Sequence, residues 1–375
     1  MKSNYDILGN HIRLVDVRNK DCVTDKILGI SIDKFFMPSV ANVIGTDLSR
    51  YKLISKGRFA CNPMHLGRDE RLPIALYDED KPAIISPAYF MFEVIDNAIL
   101  DENYLMMWFR RPEFDRICWF HTDGSVRGGI TWEDICRLEF PLPSIEEQRK
   151  IVNSYNVITE RITLKQQIND NLVAQTRAFF KNFSTQFSTV GKLKDYCTMQ
   201  YGYTETATNI PIGSKFLRIT DIAQKHIDWK TVPYCPITVE NHKKYVLSEG
   251  DVVVARTGAT VGSAKLLGKN IPDSVFASFL VRIKPINPIY KYYFGLAITS
   301  PEFLEFVQTN AGGSAQPQAN PPLLGEFEIT IPDEKVVSLF NDKVSNFLNL
   351  IEFNEAEISK LCEVRNLMVK MLSSC

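Results

Sequence analysis

The sequence predicts an α+β protein built from two strand-rich domains, each followed by a long helix, with the two helices paired as an antiparallel coiled coil. Three observations support this fold. Blocks of the first half recur in the second at a constant offset of 189 residues. The hydrophobic pattern changes in the same way at the end of each half. The two stretches that follow have helical periodicity and no Pro or Gly.

The repeat is clearest where each half ends. Residues 111–114 (RPEF) align with 300–303 (SPEF), and residues 138–143 align with 327–332, all at the offset of 189. Further upstream, residues 52–57 match 245–250 at a slightly different offset, as loops of unequal length require. Several matched blocks in one order, followed by the same change of periodicity, favour duplication over chance.

Each globular half reads as a curved sheet with a few helices. Short β-branched or aromatic runs bounded by Gly, Pro or Ser predict strands at 89–92, 252–255 and 279–283. Residues 104–109 and 290–298 predict short helices that stop at the Arg-Pro and Ser-Pro junctions beyond them.

A long helix is expected after each half. Ser144 and Asp333 follow prolines and are good N-caps, and Glu147 completes a capping box with Ser144. The predicted organisation is a target-binding domain at 1–143, a helix at 144–187, a second such domain at 188–332 and a second helix at 333–375.

Both helices carry a heptad seam, an apolar stripe at steps of three and four residues. The second seam comprises Val337, Phe340, Val344, Phe347, Ile351, Asn354, Ile358, Leu361, Arg365, Met368 and Leu372. The first comprises Ile151, Tyr155, Ile158, Ile162, Lys165, Asn169, Leu172, Thr176, Phe179 and Phe183.

Pairing the helices is the simplest way to bury both seams. Forty residues of helix span about 60 Å, too long to pack within one small domain. Because each helix follows a domain, an antiparallel pair would put the domains at opposite ends. Lys165 and Asn354 are polar at equivalent seam positions, which indicates either a tolerated exposed site or a pin for the helix register. As helix-seam and subunit-binding residues we select Tyr155, Ile158, Ile162, Leu172, Phe347, Ile351, Ile358 and Leu361.

Composition narrows the class of protein. The net charge is −1, with 18 basic against 21 acidic residues in 1–143 and 14 against 12 in 189–332, so any DNA-binding face must arise from local clustering. No apolar run is long enough for a membrane span, and the first twenty residues lack a signal peptide, so we expect a cytoplasmic protein. The eight cysteines form no Cys-x-x-Cys pair, and we expect no metal site.

No catalytic set emerges from the motifs, and we predict no catalytic residue. Residues 320–323 (NPPL) lack the aromatic residue of an adenine methyltransferase motif. Residues 332–335 (PDEK) contain letters of a nuclease motif, but the two acidic residues are adjacent. Residues 262–270 are a near miss for a phosphate loop, with Asn270 where Ser or Thr is required.

Polar loops are the candidates for DNA contact, because Arg and Gln read guanine and adenine edges and glycines allow close approach to phosphates. The loops are 67–71, 124–129, 256–262 and 313–318, and each could equally be a solvated turn. The candidate residues are Arg68, Arg71, Ser125, Arg127, Arg256, Thr257, Lys265, Ser314, Gln316 and Gln318.

The junction between the first half and its helix resembles a known family. Residues 140–152 (FPLPSIEEQRKIV), continued by 160–172 (ERITLKQQINDNL) and preceded by 123–127 (DGSVR) and 132–134 (WED), are similar to the specificity (S) subunits of type I restriction–modification systems. The second copy keeps Ile331-Pro332 but lacks the Glu-Glu-Gln-Arg string. The resemblance covers essentially the whole chain.

The resemblance implies two target recognition domains that each read one half of a split, asymmetric double-stranded DNA site, with the helices as a ruler. It also implies two methyltransferase (M) subunits and motor–nuclease (R) subunits as partners. S-adenosylmethionine, ATP and Mg²⁺ would be bound by those partners, and no cofactor by this chain. The alternatives are a nuclease or methyltransferase with an unrecognised active site, a coiled-coil scaffold for proteins, or the same fold serving a fused restriction–methylation enzyme.

Overall fold

The computed structural model of the protein describes residues 5–39, 45–64, 66–121, 129–312 and 318–372. Lobe 1 is the part that contains strands β1–β10, and lobe 2 is the part that contains strands β11–β19. The strands of lobe 1 are β1 Tyr5–Ile7, β2 Ile12–Leu14, β3 Ile27–Ile30, β4 Phe36–Pro38, β5 Lys52–Ile54, β6 Arg58–Cys61, β7 Ile74–Leu76, β8 Ala83–Ile85, β9 Phe90–Val94 and β10 Glu139–Pro141. Those of lobe 2 are β11 Val190–Lys192, β12 Cys197–Tyr201, β13 Ser214–Leu217, β14 Tyr234–Cys235, β15 Val252–Ala255, β16 Ala264–Leu266, β17 Ser274–Phe276, β18 Leu280–Pro285 and β19 Glu328–Thr330.

Within the described ranges, ten short α-helices accompany these strands, and two long α-helices follow the lobes. The helices are α1 Leu66–Asp69, α2 Glu102–Phe109, α3 Pro112–Phe120, α4 Trp132–Cys136, α5 Ile145–Ser184, α6 Leu193–Tyr196, α7 Ile219–Ile222, α8 Val239–Tyr245, α9 Lys291–Ile298, α10 Pro301–Asn310, α11 Pro321–Gly325 and α12 Glu334–Met371. Within the described ranges, no helix is both long and apolar enough to cross a bilayer.

The two lobes share one topology, which confirms the predicted duplication. An antiparallel four-stranded sheet has the order β2-β9-β6-β7 in lobe 1 and β12-β18-β15-β16 in lobe 2. A second sheet contains a parallel pair in each lobe, β3 with β8 and β13 with β17. The first and last strands of each lobe close a two-stranded ribbon, β1 with β10 and β11 with β19.

The repeated Pro-Glu-Phe block begins a helix in both lobes. The sequence indicated only that the preceding helices, α2 and α9, stop at these junctions. In the structure Pro112 and Pro301 also lie in the first turn of α3 and α10. The N–H groups of a first turn make no intrahelical hydrogen bond, so a proline there costs none. Phe114 and Phe303, two residues later in each block, are buried in the lobe cores.

Gln148 attaches the start of α5 to lobe 1. Its side chain is completely buried, and its Nε2 donates to the carbonyl oxygens of Ile99 (2.9 Å) and Pro143 (2.8 Å). Its Oε1 accepts a hydrogen bond from the backbone N–H of Asp101 at 2.9 Å. All three bonds satisfy backbone groups around the start of α5, which explains structurally why the Glu-Glu-Gln-Arg string contains a glutamine.

The described residues pack as two compact units, Met1–Ile162 with Lys360–Cys375, and Thr163–Ser359. In the first unit, Val152 near the start of α5 and Val369 near the end of α12 share one core with lobe 1. In the second, Phe179 near the end of α5 and Phe340 near the start of α12 share a core with lobe 2. Opposite ends of the two helices meet in each unit, so the pairing is antiparallel, as predicted.

The predicted seam residues lie on the buried faces of α5 and α12. None of the positions in either seam series is exposed. Of the eight selected for helix and subunit contact, Ile162 and Ile358 are buried, whereas the others, Tyr155, Ile158, Leu172, Phe347, Ile351 and Leu361, are half-buried.

The two polar residues at equivalent positions of the two seams, Lys165 and Asn354, contact each other. Lys165 Nζ donates to Asn354 Oδ1 at 3.0 Å and forms an ion pair with Glu357 at 2.8 Å. Asn354 Nδ2 donates in turn to Asn169 Oδ1 at 2.8 Å. A shift of one helix along the other would separate these partners inside a mostly apolar seam, so the contacts support the role of a register pin.

Candidate nucleic-acid interface

Three segments of lobe 2 meet at one edge of its four-stranded sheet. In the order β12-β18-β15, Tyr201 pairs with Val281, and Ala255 pairs with Leu280. This register brings the end of β12, the turn before β18 and the loop after β15 together. The residues at that edge are Tyr201, Phe279 and Arg256, which are far apart in the sequence.

Arg256 is fixed at this edge by its backbone and its side chain. Its N–H donates to the carbonyl oxygen of Phe279 at 3.0 Å, and its carbonyl accepts from the N–H of Ala319 at 2.8 Å. Its guanidinium carbon lies 4.8 Å from the centre of the Tyr201 ring. A guanidinium stacked on an aromatic face keeps its N–H donors free in the plane.

Thr257 and Gln318 complete the group. Thr257 is buried and extended, and it forms an antiparallel β-bridge with Gln318, whose N–H also donates to Gly312 O at 2.9 Å. Gln318 itself is exposed. Tyr201, Arg256, Thr257, Phe279 and Gln318 form what we call the Arg256 cluster, which offers a cation, an amide and two aromatic rings. The sequence predicted Arg256, Thr257 and Gln318 as DNA contacts, and the fold brings these three together.

Two aromatic members of the cluster were absent from the sequence prediction. Tyr201 and Phe279 are 41% and 55% exposed, high values for such large apolar side chains. The glycine that follows Tyr201 was the one signal in the sequence near these rings. In the structure, a Cβ at Gly202 would lie 2.2 Å from the carbonyl oxygen of Ala277. Only glycine permits that approach, which sets the course of the chain just after Tyr201.

Lys265 lies apart from the cluster, beside the paired helices of the second unit. Its ammonium donates to the carbonyl of Lys225 at 2.7 Å. Burial lowers the pKa of Lys265, and the charge of Glu355 on α12 partly opposes that shift. This lysine, which lies in β16, therefore has partners within the protein, and its contact with DNA stays a prediction.

Glu355 gives the second unit a pH-dependent stability. Burial, opposed by Lys265 and reinforced by Glu352, raises the pKa of Glu355 to about 7. The folded form thus retains a proton that the unfolded chain releases near its ordinary pKa of 4.5. The stabilising contribution of that proton is complete below about pH 4.5 and is lost as the pH rises through about 7.

Glu355→Gln is therefore expected to leave stability nearly unchanged at pH 5 and to raise it at pH 8. The gain is of the order of 1–3 kcal/mol, reduced by the partial exposure of the carboxyl group. Thermal unfolding of both variants at the two pH values measures it. Glu160→Gln, which removes a charge from the exposed surface of α5, is the matched control. A gain at pH 5 as large as at pH 8 would contradict the assignment.

In lobe 1 the described candidate is Arg71, whose Nη1 lies 3.0 Å from Asp33 Oδ1 on the surface. The neighbouring residue Leu72 donates its N–H to Asp115 Oδ1 at 3.0 Å, and Asp115 also pairs with the buried Lys34 at 2.7 Å. The loop that carries Arg71 is thereby anchored to the core. The Arg68 side chain and the residues Ser125, Arg127, Ser314 and Gln316 lie outside the described residues.

The near-miss catalytic motifs have structural partners. Asn320 Oδ1 accepts the N–H of Leu323 at 2.9 Å and caps α11. Glu334 Oε1 accepts from Asn287 Nδ2, and Asn270 Nδ2 donates to Glu352 Oε2. Residues 256–262 form a turn between β15 and β16, as predicted. Within the described ranges, no three His, Cys, Asp or Glu side chains are grouped as a metal site would require.

The protein consists of a duplicated lobe. Each copy continues into one long helix, and the two long helices form an antiparallel pair, which defines the class of the protein. Residues 189–363 match the family model described as the type I restriction modification DNA specificity domain. Over these residues the chain is similar to the specificity subunits of type I restriction–modification systems, the family that its junction residues resemble.

Two curated relatives are similar to this chain in sequence, and one solved structure has the same fold. The chain is 22% identical to the type I restriction enzyme MjaVIII specificity subunit of Methanocaldococcus jannaschii, over 74% of this chain and 70% of the relative. It is 21% identical to the HindI specificity subunit of Haemophilus influenzae, over 91% of each. A crystal structure of the S subunit from M. genitalium has the same fold, with a TM-score of 0.58, 14% identity, and 98% and 95% of the two chains covered.

Proposed function

We propose that each lobe reads one half of a bipartite, asymmetric DNA site, and that the paired helices connect the two readers. In this proposal the chain directs adenine methylation by two methyltransferase subunits and cleavage by motor–nuclease subunits in a cytoplasmic complex. The chain itself catalyses neither reaction.

One observation carries the proposal: the framework of the two lobes is the same, while the groups at the loop positions differ. The sheet order and the terminal ribbon are shared. At the matching loops, residues 124–129 offer one Arg, whereas residues 313–318 offer two Gln. A framework that is repeated in both lobes suits binding of two copies of one partner subunit. Loops that differ between the lobes suit recognition of two different DNA half-sites.

Exposed apolar side chains on the long helices support docking of partner subunits. In the second unit, Leu164 and Ile168 lie four residues apart on α5, and Leu350 and Phe353 three apart on α12. The first unit has a corresponding set at Val157, Val364 and Leu367. Apolar groups in this number on helix surfaces are typical of protein interfaces. One set per unit fits two copies of one partner.

The absence of catalysis by this chain is supported by the roles of the near-miss motifs. Their polar groups cap or anchor helices, as Asn320 does for α11, and are thereby occupied within the protein. In the proposed complex, S-adenosylmethionine, ATP and Mg²⁺ are bound by the partner subunits, and this chain contributes only the choice of site.

Methylated adenines mapped across the genome, with and without this chain, test the proposal. We expect one bipartite motif to disappear when the chain is absent and to return when it is restored. The purified chain incubated alone with DNA, Mg²⁺ and S-adenosylmethionine should neither cut nor methylate. Methyl transfer or cleavage by the chain alone, or an unchanged set of motifs in its absence, would reject the proposal.

A further inference from the structure

Arg256 differs from the other arginines of lobe 2 in its charge environment. Arg218 pairs with Asp221 at 2.9 Å, and Arg282 lies 3.8 Å from Asp251. For Arg256, no carboxylate of the described residues comes within ion-pair distance; its recorded side-chain contact is the face of Tyr201. Arg256 is half-buried, its backbone is fixed, and its guanidinium pairs with no acidic group of the described ranges, so it is available to a ligand outside the protein.

We propose that Arg256 reads a guanine in the DNA half-site bound by lobe 2, with Tyr201 as the positioning residue for its guanidinium. This inference rests on the proposed function and names the base that one residue recognises. Arginine donates two parallel hydrogen bonds to O6 and N7 of guanine in the major groove, and it is the side chain best suited to that edge.

The surroundings of Arg256 favour a base edge over a phosphate. A phosphate contact needs positive charge but little orientation, whereas bidentate reading needs a guanidinium plane of defined direction. Stacking on Tyr201 and the two backbone hydrogen bonds fix the direction of the Arg256 guanidinium plane. The exposed ring of Phe279 and the amide of Gln318 lie on the adjoining segments, and both are groups that contact bases.

The test uses the complex of this chain with its methyltransferase subunits and measures binding to duplexes that differ at one base pair of the lobe 2 half-site. Binding is measured by competition, which also ranks weak binders. For Arg256→Gln we expect the preference for guanine at one position to fall about tenfold to a hundredfold. Preferences at the other positions and in the lobe 1 half-site should stay as in the wild type.

Variants at Tyr201 separate positioning from folding. Tyr201→Phe retains an aromatic face and should keep the guanine preference, while Tyr201→Leu should weaken it severalfold with guanine still favoured. Lys284→Gln, at a partly exposed lysine of the same lobe, is the matched control and should leave base preferences unchanged.

Two outcomes overturn the inference. The first is that Arg256→Gln has the same base preferences as the wild type. The second is that Arg256→Gln loses affinity equally for all duplexes, including complete loss. An equal loss together with a salt dependence reduced by about one counterion would assign Arg256 to a phosphate. Absence of any sequence preference in the wild-type complex would instead reject the proposed function.

Discussion

Phe340→Ala is expected to destabilise the second unit by about 3–5 kcal/mol, the usual cost of removing a fully buried phenylalanine. The Phe340 ring is 1% exposed and stacks on Phe179 with centroids 5.3 Å apart. It also contacts Phe183 at 4.6 Å and Tyr293 at 5.5 Å. One ring thus connects both helices to lobe 2, and its loss leaves a cavity where the three elements meet.

Urea unfolding of the full chain, followed by helical circular dichroism, measures this effect. Phe353→Ala is the matched control, because Phe353 is on the same helix and 65% exposed, so its removal should change stability by no more than about 0.5 kcal/mol. That control should nevertheless weaken binding of the methyltransferase subunits if the exposed apolar set is their docking surface. A loss below about 1 kcal/mol for Phe340→Ala would contradict the described packing.

Asn354→Ala is expected to destabilise the helix pair by about 2–3 kcal/mol. The change removes the amide oxygen that accepts from Lys165 and the amide N–H that donates to Asn169. Polar groups of both residues thus lose these partners within the seam. Lys165 keeps its ion pair with Glu357, which limits the loss. The effect therefore arises from buried groups that lose their hydrogen bonds more than from the side chain removed.

A triple variant distinguishes this network from simple loss of packing. Replacing Lys165, Asn169 and Asn354 together with Met, Leu and Leu removes the three hydrogen-bonded polar side chains and should restore or exceed wild-type stability, although Glu357 loses its ion pair with Lys165. Asn349→Ala, an exposed position of α12, should be neutral. If the triple variant is as unstable as Asn354→Ala, the destabilisation comes from lost packing, and the explanation by polar groups that lose their hydrogen bonds is wrong.

The features predicted correctly are those that depend on residues close together in the sequence. Caps such as Ser144, prolines at the lobe ends and apolar steps of three and four are local, and they located both long helices and their antiparallel seam. Glu147 N–H donates to Ser144 Oγ at 3.3 Å, the cap that the spacing predicted. Strands at 252–255 and near 279–283 and 89–92 were also predicted, since short apolar runs between breakers are local too.

The rest depends on sheet register, which a single sequence does not reveal. Tyr201 contacts Arg256 because β18 lies between their two strands, a strand order that no local pattern indicates. In the same way, Gln148 in a surface-like Glu-Glu-Gln-Arg string is completely buried. Lys265 lies in β16, where its ammonium donates to the carbonyl of Lys225 and interacts with the charge of Glu355 on α12. In each case the tertiary partner, not the residue type, decides what the side chain does.

The central claim is that two independent readers share one chain. It is tested by replacing residues 1–143 with the matching part of a relative that directs methylation to another sequence, and then mapping methylated adenines. We expect one half of the bipartite motif to change to that of the relative, while the other half and the spacing remain. A change in both halves, or a motif identical to the wild type, would contradict the account.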